Sequence, residues 1–178
     1  MSRAACIEAV FNGCFQVRYR TRLQGGAAEP LYLPAAEDGE ARIFYREDYP
    51  ASALHEIAHW CIAGPSRRRQ QDYGYWYAPD GRSAPQQRAF ERVECRPQAL
   101  EWHFALAAGL PFRISLDNLS SADINAGEFA AAVVKEAQVL CQRGLPERAG
   151  QFRASLAATL GGAAIPAPAL FNTEALSR

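Results

Sequence analysis

Apolar residues recur at helical spacing in several long stretches of this 178-residue chain and alternate in a few short ones. Ile7, Val10, Phe11, Cys14 and Phe15 predict an amphipathic helix over 3–15. VRYRTRL (17–23) then reads as a strand, with Arg18, Arg20 and Arg22 on one face. GGAAEP reads as a turn, LYLP as a short extended piece and ARIFY (41–45) as a half-buried strand. Pro50 suits the first turn of a helix that Ser52 can cap. Gly64-Pro65 ends that helix, with Gly64 as a left-handed cap. Residues 85–108 are helical, with Phe90, Val93, Leu100 and Phe104 on the buried side. Pro97 is expected to kink that helix or start a new one. FRISLDN (112–118) reads as a last strand and turn, and 125–142 and 146–161 as two further helices. The Ala/Pro/Gly-rich tail from about 162 is expected to run extended along the surface or fray. No repeat or linker divides the chain, so the prediction is one α+β domain over 1–178, mainly helical around a small sheet.

Charge and composition narrow the classes. Nineteen basic side chains balance nineteen acidic ones, and the pI is about 6.8, so no nucleic acid or anionic membrane partner is expected. No apolar run approaches the roughly 18–20 residues of a membrane span. Glu8 and Asn12 interrupt the N-terminal apolar positions, which argues against a signal peptide. Five cysteines without a CxxC pair point to buried free thiols in a reducing cytoplasm.

Two of the three histidines fall four apart in His55-Glu56-Ile57-Ala58-His59. On a helix that spacing puts both imidazoles on one side, where they can share an ion. Glu56 beside them can handle a proton of a metal-bound water. On the helical wheel Leu54, Ile57, Ala58, Cys61 and Ile62 form one apolar arc. The histidines lie at its edge, with Glu56 and Trp60 further round. Such an HExxH helix is zincin-like.

A third ligand is expected. His103 faces away from an acidic stripe formed by Gln87, Glu91, Glu94, Gln98 and Glu101 on the 85–108 helix. Glu94, ahead of Glu91, is the candidate from that stripe. Two histidines and one carboxylate serve either zinc hydrolysis or Fe(II) oxygen activation. HExxH taken alone favours a zinc metallopeptidase.

The Arg67-Arg68-Arg69 run either serves the helix C-terminus or forms a basic rim for an acidic partner. Tyr73, Tyr75, Trp76 and Tyr77 crowd a stretch closed by Pro79-Asp80-Gly81, where they either line a binding surface or pack.

Several blocks resemble the elongation factor P hydroxylase family: EPLYLPA (29–35), YPASALHEIAHWCIAG (49–64), DYGYWYAPDGR (72–82), FERVECRPQALEW (90–102) and LPF…DNL (110–119). They keep their order and cover about half the chain. The resemblance implies a cytoplasmic bacterial oxidoreductase, a monooxygenase that hydroxylates the β-lysylated lysine of translation elongation factor P. It implies a two-His-one-carboxylate site at His55, His59 and Glu94, holding non-haem Fe(II) or zinc, with molecular oxygen as co-substrate. Glu56 would then handle protons. Tyr73, Tyr75, Trp76 and Tyr77 would line a channel for the long side chain, and Asp72 or Asp80 would pair with its amine. Arg67 and Arg68 would meet acidic groups of the protein partner.

Overall fold

A computed structural model describes residues 1–37, 39–75, 81–115 and 126–177. Among the described residues, five α-helices and a three-stranded sheet form one mostly helical domain, with the first two helices packed on the sheet. Helix α1 spans Arg3–Tyr19, strand β1 Thr21–Ala27, β2 Leu31–Leu33 and β3 Ala41–Arg46. Helix α2 (Pro50–Ile62) carries the HExxH sequence, α3 runs Ala84–Ala108, α4 Ala126–Arg143 and α5 Glu147–Leu160. No helix among the described residues is long and apolar enough to cross a membrane.

The first helix outruns its expected end. The spacing of Ile7, Phe11 and Phe15 continues to Tyr19, and the turn closes at Arg20 in the left-handed region (φ 47°). The expected strand 17–23 is therefore split: Arg18 lies on α1 and pairs with Glu147, Arg20 is the link, and only Arg22 is an exposed strand residue. β1 also continues through Gly25 and Gly26, read above as a turn. Parallel pairing with the central strand β3 runs from Thr21 to Gln24 and resumes at Ala27, with Gly25 and Gly26 in an irregularity where the Gly26 N–H bonds the Glu47 carbonyl; β2 pairs antiparallel on the other side. A Cβ on Gly25 would lie 2.5 Å from Tyr45 Cζ, so this position needs glycine for close approach.

Three further expectations change. Ser52 does not cap α2; its hydroxyl accepts the Arg46 N–H and ties the helix to the end of β3. Gly64 is not a left-handed cap, since α2 ends at an extended Ala63. Guanidiniums close that end instead: Arg68 and Arg148 both donate to the Ala63 carbonyl, and Arg148 also to that of Cys61. No strand forms over 111–115, where the Gln98 side chain takes both the N–H and the carbonyl of Ser115; the rest of FRISLDN lies outside the described residues.

α3 is continuous through Pro97, and its N-terminus carries a capping box of Ser83 and Gln86. α2 packs on α3, α1, α5 and β3. Trp60 is fully buried on its α1 side, among Phe11, Phe15 and Tyr19, so α2 is covered well beyond the predicted apolar arc. Past α5 the tail crosses back over α3, where Ala163 N–H bonds the Leu106 carbonyl. It then buries Phe171 against Trp102 and His103.

Candidate metal centre

The crossing of α2 and α3 sets two histidines against one carboxylate. On α2 the one-turn spacing aligns His55 and His59, whose Nε2 atoms lie 3.2 Å apart. Glu94 reaches in from α3, with Oε1 3.2 Å from His59 Nε2 and Oε2 3.4 Å from His55 Nε2. Ligands bonded at about 2.0–2.2 Å to one ion must be spaced like this. Glu94 is only 3 % exposed, and its Oε2 is buried without a hydrogen bond. A buried carboxylate oxygen left open beside two facing imidazole nitrogens is the signature of a group that would sit between them. Among the described residues, these three form the set of ligand atoms that could hold a metal ion.

A second carboxylate fixes the first histidine. Glu101 Oε2 lies 2.9 Å from His55 Nδ1, so Nδ1 donates, and Nε2, which faces Glu94 and His59, is the nitrogen left to ligate an ion once it gives up its proton. Sequence reasoning placed Glu101 only in the acidic stripe. Its position two turns beyond Glu94 carried the signal, because residues seven apart share a helix face.

The charges in the cluster are strongly coupled. Burial disfavours a proton on His55, but the carboxylates of Glu101, Glu94 and Glu56 outweigh it and raise its pKa to about 10. Burial favours a proton on Glu94, yet His59 and His55 beside it hold its pKa down to about 2. Without an ion, a proton on His55 therefore balances the carboxylates. Burial raises the pKa of Glu56, against the pull of His55 and His59 and with help from Glu94 and Asp72.

Aromatic rings complete one wall. Tyr73 stacks on Tyr32 at 4.3 Å between centroids and lies nearly parallel to His59 at 6.2 Å. Tyr73 is buried, with no hydrogen-bond partner for its hydroxyl among the described residues. Burial and the nearby Glu56 charge raise its pKa well above the usual phenol value. Asp72 and Tyr73 both sit in the left-handed region (φ 46° and 58°), a strained conformation for non-glycine residues. It is fixed because Asp72 Oδ1 accepts the Tyr32 N–H and the Tyr73 carbonyl accepts from Arg67. Tyr32 was not foreseen; nothing local in LYLP marks it as a platform.

The other expected residues are distributed as follows. Tyr75 lies under the Arg67 guanidinium at 4.3 Å. Arg68 donates to the end of α2. Trp76, Tyr77 and Asp80 lie outside the described residues. Glu91 accepts from Gln87 Nε2 and borders a hollow with Arg88 and Cys95, apart from the histidines. His103 is fully buried on the other side of α3, with Nε2 2.9 Å from the Ala137 carbonyl.

The fold and site thus define a small helical protein with a candidate two-histidine, one-carboxylate centre. Residues 10–168 match the family model described as elongation factor P hydroxylase. An elongation factor P lysine hydroxylase from Haemophilus influenzae is 47 % identical over 153 residues, covering 85 % of this chain and 86 % of that protein. The chain belongs to the elongation factor P hydroxylase family.

Proposed function

We propose that this protein, acting as one hydroxylase domain over 1–178, hydroxylates the β-lysylated lysine of elongation factor P in the cytoplasm, through a metal held by His55, His59 and Glu94. One observation carries the metal part: the open, buried Glu94 Oε2 converges with two imidazole nitrogens whose tautomer on His55 is set by Glu101. The family membership carries the substrate part. In this reading the HExxH helix is zincin-like in its ligand spacing, while the ligand set serves oxygen chemistry. When bound, non-haem Fe(II) would supply the activation of molecular oxygen that such a ligand set supports; zinc is the alternative ion.

The chain's own residues do the rest. Glu56, whose carboxyl keeps its proton to higher pH than usual, gives or takes a proton at Oε beside the centre. Tyr73 supplies a fixed aromatic wall over His59 and an uncommitted hydroxyl. Tyr75, with Trp76 and Tyr77, lines the approach of the long side chain, whose ammonium groups suit aromatic faces and the carboxylate of Asp80. Arg67 and Arg68 remain contacts to acidic groups, although Arg68 also holds the end of α2.

The test is mass spectrometry of β-lysylated elongation factor P incubated with the iron-loaded protein, with and without oxygen. The expected result is a gain of one oxygen atom only under oxygen. No gain under any metal condition, with peptide cleavage that survives oxygen removal, would replace this reading by a zinc metallopeptidase.

A further inference from the structure

A cleft of about 440 Å³ opens beside the metal centre, and its charge does not suit the lysine side chain. His59 forms part of its wall, with Ile62 and Pro97 as apolar surface and Arg67, Arg92 and Arg96 around it. No carboxylate lines it among the described residues. Arg67 is held in place by the Tyr73 carbonyl and the Tyr75 ring. Arg92 and Arg96 stand one turn apart on α3 and are exposed. Arg96 Nε is 3.7 Å from Glu136, and Arg92 has no ion-pair partner among the described residues.

Resting on the hydroxylase reading, the substrate side chain brings ammonium groups. Three guanidiniums around this cleft repel them and suit an anion instead. The cleft's volume falls in the small-molecule range of about 300–1,000 Å³, and it is a hollow rather than a flat protein-docking face. Guanidinium forks match carboxylates in geometry as well as charge.

We propose that this cleft is a binding subsite for a small organic carboxylate, of the size of a short dicarboxylate, held by Arg67, Arg92 and Arg96 next to the metal ligand His59. Tyr75, which also lines this cleft, would then separate the anion from the approaching lysine side chain.

The experiment is a calorimetric titration of the metal-loaded full chain with succinate and with 2-oxoglutarate at fixed ionic strength. Wild type is expected to bind at least one of them. The double variant Arg92→Gln/Arg96→Gln should weaken it at least about tenfold, as expected for lost charge-assisted hydrogen bonds. Arg88→Gln, on the neighbouring hollow, should leave it unchanged. Melting temperature and metal content of each variant separate this loss from misfolding. No binding to wild type at about 10 mM, far weaker than a useful subsite, would overturn the proposal. So would equal binding to wild type and the double variant, or capture of an acidic peptide with no binding of either small carboxylate. Carboxylate binding that persists while elongation factor P gains no oxygen would instead sink the hydroxylase reading and leave the subsite standing.

Discussion

Helix α3 presents buried polar side chains on two opposite faces, and they are organised in opposite ways. On one face Glu94 and Glu101 meet His55 and His59; on the other His103 meets α4 and the tail. His103 is closed: its Nε2 lies 2.9 Å from the Ala137 carbonyl, and the Phe171 ring covers it at 4.4 Å. The His55 face is open: two imidazole nitrogens point at each other and one buried carboxylate oxygen has no hydrogen bond. Structural polar groups are satisfied in place, whereas a site leaves valence unfilled for something else. The same residue type thus packs on one side and is a candidate ligand on the other.

The strongest way to break this contrast is to remove a ligand. Under the proposed function, His59→Ala and Glu94→Ala should each lose the metal and with it the hydroxylation of elongation factor P, since two remaining ligands seldom hold a catalytic ion. Glu91→Ala, whose carboxylate pairs with Gln87 instead, should keep both. Metal analysis and mass spectrometry check it. Metal retained in Glu94→Ala and lost in Glu91→Ala would move the third ligand.

The next effect concerns chemistry without metal loss. Glu56→Gln should lower the rate by about 10²–10⁴-fold, the usual worth of a positioned acid–base group, with metal content unchanged. Steady-state kinetics on lysylated elongation factor P beside metal analysis reads both quantities. An unchanged rate would remove Glu56 from the proton path.

Much of this was legible in the chain. The pairing of His55 and His59 follows from helix periodicity, and Glu94, ahead of Glu91, was the candidate from an acidic stripe on a helix whose distance along the chain lets it cross theirs. The helical frame and small sheet follow from apolar spacing, because that spacing is local. What was illegible depended on long-range partners. Gly25-Gly26 looks like a turn until Ala27 rejoins β3 and Tyr45 packs against Gly25. Ser52 looks like a cap until Arg46 claims its hydroxyl. Gly64 looks like a cap until Arg148, far along the chain on α5, closes the same helix end. Tyr32 becomes part of the site only because Tyr73 adopts a strained backbone that stacks the two rings.

The two faces should also respond to pH with opposite signs. Burial lowers the pKa of His103 to about 4, from an ordinary 6.5. The folded state then resists a proton that the unfolded chain accepts, so this stability is full above pH 6.5 and lost as pH falls toward 4. The shift corresponds to about 3 kcal/mol at the acid end. His55, raised to about 10 in the metal-free protein, contributes stability that is full below pH 6.5 and lost as pH rises through 10. Denaturant unfolding of metal-free wild type and His103→Gln across pH 4–7.5 checks the first. The wild-type advantage should shrink steadily as pH falls. An advantage that stays constant would mean His103 is not held neutral.

The smallest effect sharpens the contrast most directly, because it makes the His55 face resemble the His103 face. Glu101→Gln keeps an oxygen to accept from His55 Nδ1 but removes the charge, much as a carbonyl serves His103. The outer partner of a metal-bound histidine typically contributes about 10–100-fold in metal affinity. Gln should therefore weaken metal binding by about tenfold, at the low end, since orientation survives and only basicity falls. Glu101→Ala loses both and should approach the full hundredfold. Competition with a chromophoric chelator measures the two variants on one scale. If Ala and Gln lose equally, charge alone matters and the fixed tautomer does not. If neither loses affinity, Glu101 is a packing carboxylate, and the two faces of α3 differ less than their geometry indicates.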